Sequence, residues 1–139
     1  MKLTWLDRRV AAPGPYLTLV TSQDEFDAAL RHFKMQPGTP YLSSARADAT
    51  VHFFFDNRRG ESVAVVALGD TTGRSSVEIA GLLVHEAVHI WQTHRENIGE
   101  THPGREQEAY AVQGIAQELM AEYARRIVRR PGAARKGTQ

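Results

Sequence analysis

The chain has 139 residues, with 17 Lys and Arg, 16 Asp and Glu, and no cysteine. This length fits one domain with one core, and the near balance of charge gives no reason to expect nucleic acid as the main partner. The absence of cysteine excludes disulfides, thiolate ligands and thiol catalysis, so any metal must be held by His, Asp or Glu. No apolar run approaches the roughly 20 residues that span a bilayer, and the N-terminal residues lack the apolar stretch of a secretory signal. We therefore expect a soluble, cytoplasmic protein with no membrane partner.

The first elements predicted along the chain are a strand and a helix. Tyr16–Val20 is a short run of apolar and β-branched residues, which favours a strand. Over residues 23–34 apolar side chains recur at helical spacing, and Ser22 can cap this helix. The stretch 35–48 contains Pro and Gly and is typical of a loop.

A hairpin is predicted next. Two runs rich in β-formers, 50–55 and 62–68, flank a stretch with the composition of a turn at 56–61. The aromatic run 53–55 favours a strand buried on both faces over an exposed binding surface. The neighbouring His52 is interpreted as a hydrogen-bonded strand residue rather than a further residue of a metal site.

A capping box predicts where the central helix begins. Ser75 can accept a hydrogen bond from an early backbone N–H, and Glu78 can reach back to the backbone of Ser75. From residue 77 to residue 91 the helix is apolar on nearly every side. This pattern predicts a helix that is buried all round.

A second long helix is predicted over 105–128, after Pro103 and Gly104 interrupt the helical pattern. Its expected core stripe consists of Ala109, Val112, Ala116, Leu119, Tyr123 and Ile127. The basic residues that follow are interpreted as a helix end that favours cations and a solvated tail. We expect one α+β domain over residues 1–130 and a basic, disordered tail over 131–139. The domain should contain a small, mostly antiparallel sheet, an early helix, the central helix and a packed C-terminal helix.

The central helix carries an H-E-x-x-H pattern, His85-Glu86-Ala87-Val88-His89. Residues four apart lie one turn apart on the same helix face, so both imidazoles can bind one zinc ion. Burying these polar groups in an apolar helix costs free energy that a metal offsets. The pattern therefore predicts His85 and His89 as zinc ligands and Glu86 as the catalytic general base. The simpler interpretation is a pair of surface or hydrogen-bonded histidines with Glu86 as their partner.

A catalytic zinc site needs a third protein ligand and an open fourth position. Glu106 and Glu108 lie at the start of the next helix, which the Pro-Gly turn can fold back against the first. On a helical wheel Glu108 falls nearer the predicted core stripe, and Ala109 beside it allows two helices to approach closely. We predict Glu108 as the third ligand of one zinc ion, with Glu106 as the alternative. The simpler interpretation is that Glu108 is an ordinary first-turn glutamate that only complements the helix dipole.

These residues resemble a known family signature. His85, Glu86 and His89, followed after the 18 residues 90–107 by Glu108, resemble the H-E-x-x-H-(18)-E signature of the gluzincin metallopeptidases, such as the zinc aminopeptidases. The run from Glu108 to Ala111, E-A-Y-A, is similar to the E-G-F-A run that carries the third ligand there. The resemblance implies a minimal zincin-like fold and a peptide or protein substrate.

The resemblance covers about residues 75–128, and the string 85–92 also resembles small H-E-x-x-H domains encoded by phages and prophages. Val112 departs from the gluzincin pattern, because many of those enzymes have at this position an Asp that orients a histidine. The motif with which aminopeptidases recognise a free N-terminus is not visible, so that specificity does not carry over.

The predicted chemistry is hydrolysis of an amide bond. Zinc lowers the pKa of water and polarises the carbonyl, while Glu86 takes the proton and passes it to the leaving amine. The developing oxyanion needs a second donor. Four candidates for this donor stay unassigned: His94, His102, Tyr110 and Tyr41. The two histidines are equally compatible with plain solvent exposure. The alternative function is a non-catalytic, metal-stabilised binding or assembly protein, for example a phage-associated one.

Overall fold

A computed structural model gives the fold and describes residues 3–4, 15–55 and 62–129. The elements are β1 (Tyr16–Val20), α1 (Gln23–His32), β2 (Ala49–Phe54), β3 (Val63–Leu68), α2 (Ser76–Asn97) and α3 (Arg105–Arg129). The predicted α+β class is confirmed. The predicted turn at 56–61 and the predicted tail at 131–139 lie outside the described residues.

Both predicted helix caps are present. The Ser22 hydroxyl accepts a hydrogen bond of 3.3 Å from the backbone N–H of Glu25. At α2, the Ser75 hydroxyl accepts from Glu78 N at 3.1 Å, and the Glu78 carboxylate accepts from Ser75 N at 2.7 Å. These reciprocal bonds satisfy backbone donors that a helix start would otherwise leave without a partner.

The sheet is mixed, with the strand order β1-β3-β2. β2 and β3 pair antiparallel, as the predicted hairpin requires, whereas β1 and β3 pair parallel. The expectation of a mostly antiparallel sheet therefore holds for one of the two pairings. β3 is buried along its whole length because it lies between two strands and has both faces covered.

The two faces of the sheet carry separate hydrophobic clusters. One face packs through Leu19 and Val66 against α2 and α3, and the other packs through Val65 against α1. The aromatic run of β2 divides between them, because successive strand residues point to opposite faces. Phe53 packs against the α2 and α3 cluster and Phe54 against the α1 cluster. The strand is nevertheless an edge strand and only half-buried, not fully buried as predicted.

The prediction that α2 is buried all round is wrong. Its buried residues lie on one flank: Ile79, Leu83, Glu86, Ala87, Ile90, Trp91 and His94. Val77 is 78% exposed and Val84 is 39% exposed on the other side. In the part of the chain that the structure describes, the sheet and α3 cover only the first flank. Among the described helices, none is long and apolar enough to span a membrane.

The buried face of α3 differs from the predicted stripe. The buried residues are Ala111, Ile115, Ala116, Leu119 and Glu122, whereas Ala109 is exposed and Ile127 is 54% exposed. Hydrophobic periodicity alone did not place the face correctly because apolar residues at helical spacing mark more than one stripe of α3, and the observed stripe also includes a glutamate. Only Ala116 and Leu119 of the predicted stripe are fully buried.

A charged network holds the C-terminal part of α3 against the sheet and α1. The Glu122 side chain is 2% exposed and accepts a 3.0 Å hydrogen bond from Arg126 Nε. Arg126 Nη1 donates to both carboxylate oxygens of Glu25 at 2.9 Å, and Nη2 donates to the Leu19 carbonyl oxygen at 2.6 Å. One guanidinium therefore joins α3 to α1 and β1 through charge-assisted bonds.

This network predicts that replacing Arg126 destabilises the protein more than replacing its neighbour Arg125. We expect Arg126→Met to lower the free energy of unfolding by about 3 kcal/mol, because it removes one partner of the buried Glu122 together with the bonds to Glu25 and to the Leu19 carbonyl oxygen. Arg125→Met is the matched control: Arg125 also pairs with Glu122, but its side chain is 46% exposed. That change should cost less than about 1 kcal/mol in urea denaturation. Equal losses from the two changes would contradict the role given to Arg126.

Candidate metal centre

His85 and His89 lie together on the exposed flank of α2. Their Nε2 atoms are 3.1 Å apart, and the ring planes are inclined by 79°. Two nitrogens that bind one zinc ion at about 2.0–2.1 Å in tetrahedral geometry lie about 3.3 Å from each other. The two imidazoles therefore fit two positions around a zinc ion.

Glu86 lies between the histidine pair and the core. Its side chain is on the buried flank of α2, and the residue is 6% exposed. Burial raises the pKa of the Glu86 carboxyl, and the charges of His85 and His89 act in the opposite direction. A carboxyl group with a raised pKa next to a pair of histidines is suited to accept a proton as a general base.

Glu108 reaches α2, but not at the histidine pair. Its Oε2 accepts a 2.7 Å hydrogen bond from Trp91 Nε1. Trp91 follows His89 by two residues, and residues two apart on a helix do not face each other. Trp91 is buried while His89 is exposed, so Glu108 is held on another flank of α2.

The third predicted ligand is therefore not assembled with the other two. Within residues 3–4, 15–55 and 62–129, no three His, Asp or Glu side chains come together as a group that could hold a metal ion. Glu106, the alternative ligand, is exposed in the same first turn of α3. The residues present thus fit a metal held by the histidine pair, and the third ligand stays a prediction.

The unassigned candidates lie in different surroundings. His94 is 4% exposed, so the solvent-exposed interpretation is wrong for it, whereas His102 is exposed. Tyr110 is 67% exposed. His52 Nε2 donates to the Tyr41 carbonyl oxygen at 2.8 Å, which confirms it as a hydrogen-bonded strand residue. None of these contacts links a candidate to the histidine pair.

Sequence reasoning missed two residues of this region. Trp91 was treated as an apolar core residue, although a buried indole N–H usually has a hydrogen-bond partner, and that rule could have suggested a nearby acceptor. His94 is buried beside Trp91, with ring centroids 6.3 Å apart, and neither of its nitrogens has a hydrogen-bond partner among the described residues. His94 lies at helical spacing from Leu83, Ala87 and Ile90, and this periodicity could have placed it on the buried flank of α2.

A cavity of about 700 Å³ lies away from the histidine pair. It is located where β1 and β3 end, and its lining includes Thr21, Gly69, Glu122 and Arg126. Of the residues predicted to act in the site, the oxyanion-donor candidate Tyr41 lines it, whereas His85, Glu86, His89 and Glu108 do not. The histidine pair is therefore an open surface site rather than part of this cavity.

The chain has no match among known protein families, among curated proteins or among solved structures.

The burial of His94 predicts a pH-dependent stability. Burial lowers the pKa of His94 below its ordinary value of 6.5. As the pH falls through the unfolded-state pKa, the unfolded chain binds a proton that the folded chain does not, so stability is lost. His94→Leu should raise the free energy of unfolding by about 1 kcal/mol at neutral pH and by more at about pH 5.5.

Urea denaturation at about pH 7.5 and about pH 5.5 measures this difference. The matched control is His102→Leu, which changes an exposed histidine and should shift stability by less than about 0.5 kcal/mol at either pH. A gain from His94→Leu that is the same at both pH values would contradict the role given to burial.

Proposed function

We propose that this protein is a zinc-dependent hydrolase of amide bonds, with a peptide or protein substrate. The observation that supports the proposal most is the convergence of the His85 and His89 Nε2 atoms to 3.1 Å. The buried carboxyl of Glu86 lies beside them on the same helix. The gluzincin-like signature points to the same chemistry.

The chain's own residues have separate roles in the proposed reaction. A zinc ion bound by the histidine pair supplies Lewis acidity toward the carbonyl and lowers the pKa of water. His85 and His89 hold that ion at the solvent-facing flank of α2. Glu86 accepts the proton of the attacking water and returns it to the leaving amine, for which a raised pKa is suited.

The sheet offers a way to bind an extended substrate. β2 pairs with β3 on one side only, so its other edge is free of strand pairing in the described sheet. Val51 and Phe53 of this strand pack against the cluster that contains α2, which puts the open edge near the helix that carries the histidines. A substrate chain can add to such an edge through backbone hydrogen bonds.

We further propose Glu108 as the third ligand. It is the first-turn glutamate of α3 that contacts α2, and it lies in line with the buried residues Ala111 and Ile115 at helical spacing. Glu106 stays the alternative.

A second candidate function is a metal-stabilised binding protein without turnover. The observation that favours it is the openness of the site: both histidines are exposed, and the cavity of about 700 Å³ lies elsewhere. Catalytic sites are usually concave and exclude water. The two functions share the metal but differ in what Glu86 does.

Metal analysis tests the feature that both functions share. Purified protein supplemented with zinc should retain about one equivalent per chain, and His85→Ala and His89→Ala should each remove most of it. His102→Ala is the control, because it changes an exposed histidine outside the motif. Less than about half an equivalent in the unchanged protein would contradict the site.

Activity on a broad peptide library tests the hydrolase. Glu86→Gln should leave zinc binding nearly unchanged and lower the rate of cleavage by about 10²- to 10⁴-fold, because it removes the proton acceptor. Zinc-loaded protein that cleaves no peptide would favour the binding protein instead.

A further inference from the structure

The hydrogen bond between Trp91 and Glu108 holds the proposed third ligand where it cannot bind the same metal ion as His85 and His89. The bond is 2.7 Å long and joins a buried indole to a carboxylate, a pairing of donor and charged acceptor that is stronger than a neutral one. Trp91 and His89 are two residues apart in α2, which places their side chains roughly 200° apart around the helix. The carboxylate cannot stay on the indole and also join the Nε2 atoms of the histidine pair.

We propose that Trp91 is a positioning residue that controls whether Glu108 is available to the metal. In the structure its indole N–H holds the Glu108 carboxylate away from His85 and His89, so zinc binding by all three ligands must break this bond. The inference rests on the proposed function and adds a conformational step to the loading of the site.

The first turn of α3 can move while the rest of the helix stays in place. Residues 105–110 are all exposed, whereas burial begins at Ala111. The turn follows a connection that contains Gly99, with φ 75°, and Gly104. The other end of α3 is fixed by the bonds of Arg126 to Glu25 in α1 and to the Leu19 carbonyl oxygen in β1. Segments with few buried contacts open at low free energy, so a shift of this turn need not disturb the core.

The direct test is the zinc affinity of Trp91→Phe, measured by competition with a chelator. Phenylalanine keeps an aromatic ring in the core and removes the N–H donor. We expect the affinity to rise by about 10- to 100-fold, because zinc no longer competes with a hydrogen bond to a charged group. A fall in affinity would overturn the proposal, since it would mean that the indole holds Glu108 in its binding position.

The control is to repeat Trp91→Phe in a protein that also carries Glu108→Gln. Glu108→Gln by itself should weaken zinc binding, and in that background Trp91→Phe should have no further effect, because the ligand that Trp91 restrains is gone. An unchanged affinity in Glu108→Gln alone would also overturn the proposal, since Glu108 would then not be a ligand. Gln107→Ala is the matched variant of the same turn, because Gln107 is exposed and is not a candidate ligand, and it should leave the affinity unchanged.

A spectroscopic measurement keeps the proposal testable if Trp91→Phe fails to fold. The chain has two tryptophans, so Trp5→Phe leaves Trp91 as the only indole. Its emission should shift in step with added zinc up to about one equivalent, and the shift should be absent in the Glu108→Gln background. Stoichiometric zinc binding with unchanged emission would overturn the proposal.

The two proposals fail in different ways. Zinc binding and Glu86-dependent cleavage with unchanged Trp91 emission would leave the hydrolase intact and remove only the conformational step. Failure to bind zinc, with no difference between His85→Ala and the unchanged protein, would remove the metal site itself.

Discussion

The division of α2 into a buried flank and a solvent flank decides the properties of the whole candidate site. One helix of 22 residues has to pack against the sheet and α3 and also present polar groups outward. Ala87 and Trp91 fall on the buried flank, while His85 and His89 fall on the open one. Glu86 lies at the boundary, which gives it a desolvated carboxyl next to accessible imidazoles. The histidine pair is therefore open to solvent although the other flank of the same helix belongs to the core.

The features that the sequence predicted correctly depend on residues close together in the chain. The capping box of Ser75 and Glu78 and the one-turn spacing of the histidine pair follow from local helix geometry. The β2 and β3 hairpin is also a local pairing. The parallel pairing of β1 with β3 joins residues 47 positions apart, such as Tyr16 and Val63, and no local signal indicates it.

The errors arise where polar residues are buried or where burial depends on other elements. Glu122 belongs to the buried face of α3, yet a hydrophobicity pattern assigns every glutamate to the surface. The apolar residues of α3 also fit more than one stripe, and packing against α2 and the sheet decides that Ala111 and Ile115 are buried. For α2, a helix that is apolar on many sides was expected to be covered on all of them, but the described neighbours cover only one flank. In the site, the helical wheel favoured Glu108 over Glu106 as a metal ligand, and that choice stays a prediction, although Glu108 does contact α2. The wheel could not show which flank Glu108 would contact, because that depends on the packing of two helices.

The contact between Arg126 and Glu25 also bears on the order in which the chain can fold. The two residues are 101 positions apart, and Arg126 and Leu19 are 107 apart. Contacts between distant positions carry the entropic cost of closing a long loop before they contribute any stability. During synthesis, β1, α1, the hairpin and α2 all leave the ribosome before the residue that joins α3 to them. Until the end of α3 is made, α1 and β1 lack this tie, and the partly formed domain is more open to contacts with other chains.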